Sequence, residues 1–366
     1  MLTELQIENF RSIRSLRLDG LGRINILGGR NGSGKSTVLE AVELLLTPKP
    51  LRAAFQNDRR GLEVLPSQNT AQASAVEEPW YPLFNDFIPG KGVGLAGKWN
   101  GRDVTATFET AFTVEQINHL NLLARNPAYV FSVQQWINEG RILRIRAAQS
   151  AGGVQQESLV HPVPDGTWGW TAEISDLAPC IAVWATDNAS QIQQKDLADL
   201  FSVAVQDRQE EFVLEVMKEI VPGLKKLVSL SRNKKAKLYA DTGARKLIPV
   251  SLLGDGAVRV LRILLAGLAE DGGVWLVDEI ENGVHYRFLP ALWRGLGQAC
   301  KLKDRQLICT THSFEEVRVA RETLSDSGEL LPRYFRVDRG PEGHKAVSYQ
   351  NEVLETAMQE EIEIRD

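Results

Sequence analysis

The chain has 366 residues, 43% of them hydrophobic, and carries a net charge of −5. With a pI near 5.7 it is no polycation, so any nucleic-acid contact must use a local patch, not a global field. Cys180, Cys300 and Cys309 are few, odd in number and widely spaced; they specify neither a zinc site nor a disulfide framework and suit a reducing cytoplasm.

In chain order, "MLTELQIENFRSIRS" carries Glu4 and Glu8 and lacks the apolar core of a secretory signal. No uncharged apolar stretch anywhere approaches the length of a membrane span. "RINILGG" is a short apolar run, with Ile24, Ile26 and Leu27, that ends in glycines and predicts a buried strand. Gly29, Arg30, Asn31, Gly32, Ser33, Gly34, Lys35 and Ser36 then fit G-x-x-x-x-G-K-[ST] at every fixed position. Glycines let successive backbone N–H groups curl around a β-phosphate, Lys35 reaches the β- and γ-phosphates, and the Ser36 hydroxyl can ligate Mg²⁺. In "STVLEAVELLL", Thr37 opens a helix whose Val38, Leu39, Val42 and Leu45 share one face. The phosphate would sit on that helix's N-terminus, where free N–H groups and the dipole favour an anion. A Gly-rich turn that happens to contain a lysine is the bland reading, and strand, loop and helix in this order weigh against it.

The middle of the chain is less informative. "PSQNTAQASAVEEPWYPLF" predicts an exposed loop. "GKWNGRDVTATFETAF" alternates like two strands around a "WNGRD" turn. "VEQINHLNLLARN" and "SVQQWINEGRILRIRAA" have helical spacing, and "PDGTWGWTAEI" suggests a hairpin. From Lys195 to Leu227 a helical lobe is expected, terminated by Pro222 and Gly223. No heptad run is long enough for a coiled-coil arm. Lys225, Lys226, Arg232, Lys234, Lys235, Lys237, Arg245 and Lys246 follow as one basic cluster in an acidic protein. It suits DNA phosphates, and equally a surface kept soluble by lysines.

A phosphate cradle that hydrolyses needs acids on a second strand, and "GGVWLVDEIENGVH" supplies them. Val274 to Val277 form an apolar run typical of a buried parallel strand, with two carboxylates at its C-terminal end. Asp278 would hold Mg²⁺ through water, and Glu279 would accept the proton of the attacking water. In "RQLICTTHSFEEV" a second apolar strand ends at Thr310 and Thr311 and places His312 at its tip. There His312 can hydrogen-bond the γ-phosphate or the attacking water, because neighbouring strands of an open α/β sheet point at one crevice.

Together, "LQIENFRSIRSLRLDGLGRINILGGRNGSGKSTVLEAVELLL", "VWLVDEIENGVH" and "ICTTHS" resemble the ABC-type ATPase heads of the SMC and RecF group, and most closely the OLD-type AAA ATPases of prokaryotic phage-defence and DNA-repair systems. The resemblance implies an α/β P-loop NTPase fold of ABC-ATPase type: a discontinuous core sheet with an inserted α+β region and a helical lobe. It implies a signature segment, matched by Leu253-Gly254-Asp255-Gly256-Ala257 in "VSLLGDGAVRVLRILLAGL", that reads the γ-phosphate bound to an opposite subunit. Gly254 takes the usual serine position; Gly254 and Gly256 still expose N–H groups at the start of a helix over Val258–Leu268. A helix start capped by Asp255, with no such role, is the alternative. The resemblance further implies Arg11 beside the α- or γ-phosphate, a role for His285, and a Mg²⁺-sensing glutamine for which Gln56 and Gln191 compete.

The expected organisation is a first core part at 1–50, an inserted α+β region at 51–194, a helical lobe with a basic hairpin at 195–249, a second core part at 250–340 and an acidic tail at 341–366. Only residues 313–366 follow His312, too few for the Toprim nuclease domain of OLD nucleases. The tail, with Val353, Leu354 and Met358 among five glutamates, is a solvated helix face or a docking segment. The expected function is a cytoplasmic Mg²⁺-dependent ATPase switch that dimerises around ATP. It would work in a DNA-repair or phage-defence complex beside a separate effector such as a nuclease, with DNA as a possible partner and no membrane. The alternative is the ATP-binding subunit of a membrane transporter. A small-molecule kinase would need neither the paired acids nor the signature segment, and no N-K-x-D motif supports a GTPase.

Overall fold

A computed structural model describes residues 1–49, 80–110, 136–150, 155–162, 168–184, 197–232 and 235–349. Strands β1 (Leu2–Phe10) and β2 (Ile13–Asp19) pair antiparallel. In β2 the side chains of Leu16 and Leu18 are buried while Arg17 and Asp19 face water, the period-two pattern of a half-buried strand. Strand β3 (Ile24–Gly28), buried throughout, runs into the glycine-rich loop and then α1 (Lys35–Leu46). In α1 every residue except Ser36 is buried, so it is an internal helix. Strands β4 (Val93–Trp99), β5 (Arg102–Glu109), β6 (Leu143–Gln149), β7 (Gln156–Pro162) and β8 (Trp168–Trp170) extend the first pair into a seven-stranded antiparallel sheet of order β2-β1-β4-β5-β6-β7-β8. The β4–β5 turn lies at Asn100 and Gly101, both with positive φ, as a tight hairpin requires.

Next come β9 (Cys180–Val183), α2 (Leu197–Gln206), α3 (Glu210–Ile220) and a three-stranded sheet of β10 (Lys226–Arg232), β11 (Lys235–Asp241) and β12 (Ile248–Pro249). Then follow α4 (Asp255–Leu268), β13 (Val274–Val277), α5 (Leu289–Leu302), β14 (Gln306–Thr310), α6 (Phe314–Leu324), β15 (Arg333–Gly340) and β16 (Gly343–Tyr349). The central sheet has order β16-β15-β3-β14-β13-β9, parallel apart from the antiparallel edge strand β16.

Each face of that sheet closes a separate core. Val274, Leu276 and Ile308 point to one side, where α1 is packed between the central and antiparallel sheets. Trp275, Val277, Leu307 and Cys309 point to the other, against α2 to α6. Strands covered on both faces need the uninterrupted apolar runs that β13 and β14 carry. Buried Gln306 ties the layers together: its side chain accepts from the Leu2 amide at 2.8 Å and donates to the carbonyls of Leu2 and Gly22, each at 2.7 Å. Arg305, with no exposed surface, donates to the carbonyls of Gly272 and Ala266 and so satisfies the C-terminal end of α4. Among the described residues no helix is long and apolar enough to cross a membrane.

Four expectations need correcting. The stretch "RILRIRAA" is strand β6, not helix. Leu143, Ile145 and Ala147 alternate with Arg144 and Arg146, whose guanidinium groups pair with Glu109 and Glu157 of the flanking strands. Cys180–Val183, assigned to the insertion, is β9 of the central sheet, parallel to β13. Residues 341–366 do not begin a tail, since Gly343–Tyr349 pairs with β15. Helix α4 also starts earlier than Val258, at Asp255. Residues 114–126, Gln56, Gln191, and Val353, Leu354 and Met358 lie outside the described residues.

Candidate active site

The loop from Gly29 to Gly34 joins a buried strand to a buried helix, and close packing shapes it. Gly29 has φ +131°, and a Cβ there would lie 2.3 Å from the Val337 carbonyl oxygen of β15, so only glycine fits. Gly34, with φ +100°, turns the chain into α1. The Lys35 ammonium donates to the carbonyls of Gly29 at 2.8 Å and Arg30 at 3.0 Å, and it lies 3.2 Å from His312 Nδ1. Burial pulls its pKa below the ordinary lysine value, against the opposing pull of Asp278, Glu281 and Glu279. Arg30, Asn31 and Gly32 are exposed at the loop tip, while Ser33 and Thr37 are buried.

Parallel pairing of β13 with β14, and of β14 with β3, brings three strand ends to one edge. Asp278 stands there beside Ser36, whose hydroxyl donates to its Oδ1 at 2.9 Å. His312 Nε2 lies 3.5 Å from Glu279 Oε1. An ammonium can only donate, so Nδ1 accepts from Lys35 and Nε2 carries the proton that faces Glu279. Lys35, His312 and Glu279 thus form one polar chain, with Ser36 and Asp278 beside it.

Three side chains unforeseen in the sequence hold this edge. Thr310 donates to Asp278 Oδ1 at 2.7 Å and accepts from the Glu279 amide at 2.7 Å. Glu281 accepts from the His312 amide at 2.7 Å. Arg259, on α4, donates to the carbonyls of Asp278 at 2.7 Å and Glu279 at 2.8 Å. The sequence signals were weak: a threonine at a strand edge, a third acid after an acidic pair, and an arginine one helical turn into α4.

The signature residues sit apart from the loop. Gly254 precedes α4 with φ +98°, no side chain caps the helix, and Asp255 is its first helical residue. A Cβ on Gly256 would lie 2.2 Å from the Gly283 carbonyl oxygen, which packs this helix start onto the turn after the acids. Leu252 and Tyr286 beside it are exposed at 72% and 67%. His285 is exposed and accepts from the Arg287 amide at 3.3 Å. Arg11 is only 9% exposed, and its Nε lies 2.7 Å from Glu40 of α1. Its guanidinium is therefore anchored five residues into the helix, where the resemblance implied a phosphate contact.

The oxygens of Ser36 and Asp278 suit Mg²⁺. This ion takes one or two hard protein ligands and completes its octahedron with water and phosphate oxygens. Among the described residues no group of three or more His, Cys, Asp or Glu could cage an ion without such help.

Two family models match the chain: "AAA domain" over residues 4–77, and "AAA domain, putative AbiEii toxin, Type IV TA system" over residues 169–318. A protein named ATP/GTP phosphatase from Helicobacter pylori is 21% identical over 340 residues, 89% of each chain. The DNA replication and repair protein RecF of Acinetobacter baylyi is 47% identical over 51 residues, 14% of each chain. The SMC head domain from Thermotoga maritima superposes with a TM-score of 0.46 at 13% identity, covering 95% of this chain and 99% of that one.

Proposed function

We propose that this chain, a P-loop ATPase of the ABC/SMC type, is a switch that closes on ATP and reopens on hydrolysis. The observation that carries this reading is the single strand edge at which the Ser36 hydroxyl meets Asp278 at 2.9 Å while His312 faces Glu279 at 3.5 Å. Ser36 directly, and Asp278 through water, would hold Mg²⁺, which when bound neutralises charge on the β- and γ-phosphates. The Gly29–Thr37 amides and Lys35 hold the phosphates against the N-terminus of α1. Glu279 takes a proton from water as its oxygen bonds to the γ-phosphorus; the bond to the β-phosphate oxygen breaks, and ADP and phosphate leave. His312, positioned by Lys35 and Glu279, donates to the γ-phosphate or the attacking water. General-base catalysis of this kind is worth about 10²–10⁴ in rate.

The switch reading adds a second subunit. Gly254–Gly256 lie at the start of α4, which no side chain caps, and the exposed Leu252 and Tyr286 give a neighbour apolar surface to cover. A γ-phosphate on one protomer would be read by this segment of its partner. The phosphatase and RecF relatives support ATP turnover and a DNA-repair setting; a phage-defence setting, DNA on the basic β10–β11 hairpin and a separate effector such as a nuclease complete the proposal. The transporter alternative gains nothing from these matches. Phosphate release with Mg-ATP, read together with light scattering, tests the proposal: ATP-dependent turnover and mass increase are expected, and a chain inert toward ATP overturns it.

A further inference from the structure

Glu279 has φ +46°, in the left-handed region that a residue with a side chain seldom enters. Such a conformation persists only when its surroundings over-determine it, and it recurs where strain aims a functional group. Here the restraint comes largely from one residue on the adjacent strand. Thr310, fully buried, accepts from the Glu279 amide at 2.7 Å, and its own carbonyl takes the Ile280 amide at 3.0 Å. The same hydroxyl donates its proton to Asp278 Oδ1 at 2.7 Å. Since Ser36 donates to that oxygen as well, Oδ1 receives two hydroxyl protons and the carboxylate is fixed in rotation.

We propose that Thr310 is a positioning residue for hydrolysis. Its hydroxyl locks the backbone of Glu279 in the left-handed turn that aims the carboxylate at water, and it fixes Asp278 in the same stroke. This rests on the reading of Glu279 as the base. A valine fills the same volume without the hydroxyl, leaving the part-buried Glu279 amide without its acceptor and the turn free to relax. Serine keeps the hydroxyl and loses only a methyl group. Thr310 meets the metal site only through Asp278, which Ser36 also holds, so its loss falls on the geometry of Glu279 more than on nucleotide binding.

The test measures steady-state ATP hydrolysis, fluorescent ATP-analogue binding and thermal unfolding for Thr310→Val, Thr310→Ser, Glu279→Gln and the Thr310→Val/Glu279→Gln pair. Thr310→Val should lower kcat by about 10- to 100-fold, the factor expected when the Glu279 amide loses its acceptor, with KM and analogue affinity within about threefold. Thr310→Ser should stay within about threefold of the parent on every measure. The double variant should stay within about threefold of Glu279→Gln, because Thr310 acts mainly through that residue and Asp278 keeps its bond from Ser36. Wild-type turnover by Thr310→Val overturns the inference, as does a double variant in which the two losses multiply. If the valine variant fails to fold, the serine variant decides: turnover far below the parent in a stable Thr310→Ser protein refutes the hydroxyl's role. Glu279→Gln at the parent rate would instead defeat the underlying assignment of the base, whatever Thr310 does.

Discussion

Replacing Glu316 by glutamine should remove much of the protein's loss of stability as pH rises from about 5 to about 8. Ser313 and Glu316 have the S-x-x-E spacing of a capping box at the start of α6, but only half of it forms. The Ser313 hydroxyl accepts from the Glu316 amide at 3.4 Å, whereas the Ser313 amide donates to Thr311 instead. The Glu316 carboxyl turns inward, fully buried, and accepts from Trp293 Nε1 at 2.7 Å. Burial is the main cause that raises its pKa to about 8; the Trp293 N–H opposes it, and the charges of Glu281 and Glu315 add to it. With an unfolded value of 4.5, the native state binds more protons than the unfolded chain between these two values. Stability conferred by the neutral carboxyl is therefore complete below the unfolded pKa of 4.5, falls steadily as pH rises above it, and is fully lost once pH has passed about 8. At about 1.36 kcal/mol per pH unit, the loss between pH 5 and 8 is roughly 4 kcal/mol. Glutamine accepts the same Trp293 bond and does not titrate. Urea unfolding of both proteins across that range, without nucleotide, should give a steep decline for the parent and a flatter curve for Glu316→Gln. Parallel curves would refute the buried-acid argument.

Two other outcomes follow from the geometry. Glu40→Ala removes the carboxylate 2.7 Å from the buried Arg11 Nε and should destabilise the protein by more than about 1 kcal/mol in urea unfolding; a smaller cost would show that the pair is not structural. Lys225, Lys226, Lys237, Arg245 and Lys246 are exposed around the β10–β11 hairpin, so reversing Lys226 and Lys237 to glutamate should weaken ATP-dependent DNA binding and reduce its salt slope by about one per lost phosphate contact. An unchanged slope would assign those lysines to solvation alone.

What the sequence discloses depends on how local the cause is. The glycine loop, the acids and the strand-tip histidine each lie in one contiguous stretch whose apolar flanks announce a strand, and those features were legible. Strand β9 was not. Its four residues sit in a loop-rich region, and it is defined by parallel pairing to Val274–Val277, far away in the chain. Strand β6 was hidden because its arginines gain their meaning from Glu109 and Glu157 across the sheet. The role of Thr310 depends on the φ of Glu279 and on a neighbour thirty-one positions away, neither of which a strand-edge threonine reveals. For Arg11 the motif was visible, and the buried carboxylate that claims it was not.

The most direct measurement compares wild-type protein with Glu279→Gln and Lys35→Ala in phosphate release and light scattering, with and without Mg-ATP. Glutamine at 279 should preserve ATP binding, slow turnover by about 10²–10⁴ and accumulate the ATP-bound dimer. Alanine at 35 should abolish nucleotide binding and any ATP-driven change in mass. Turnover of ATP by Glu279→Gln at the wild-type rate would contradict the account at its centre.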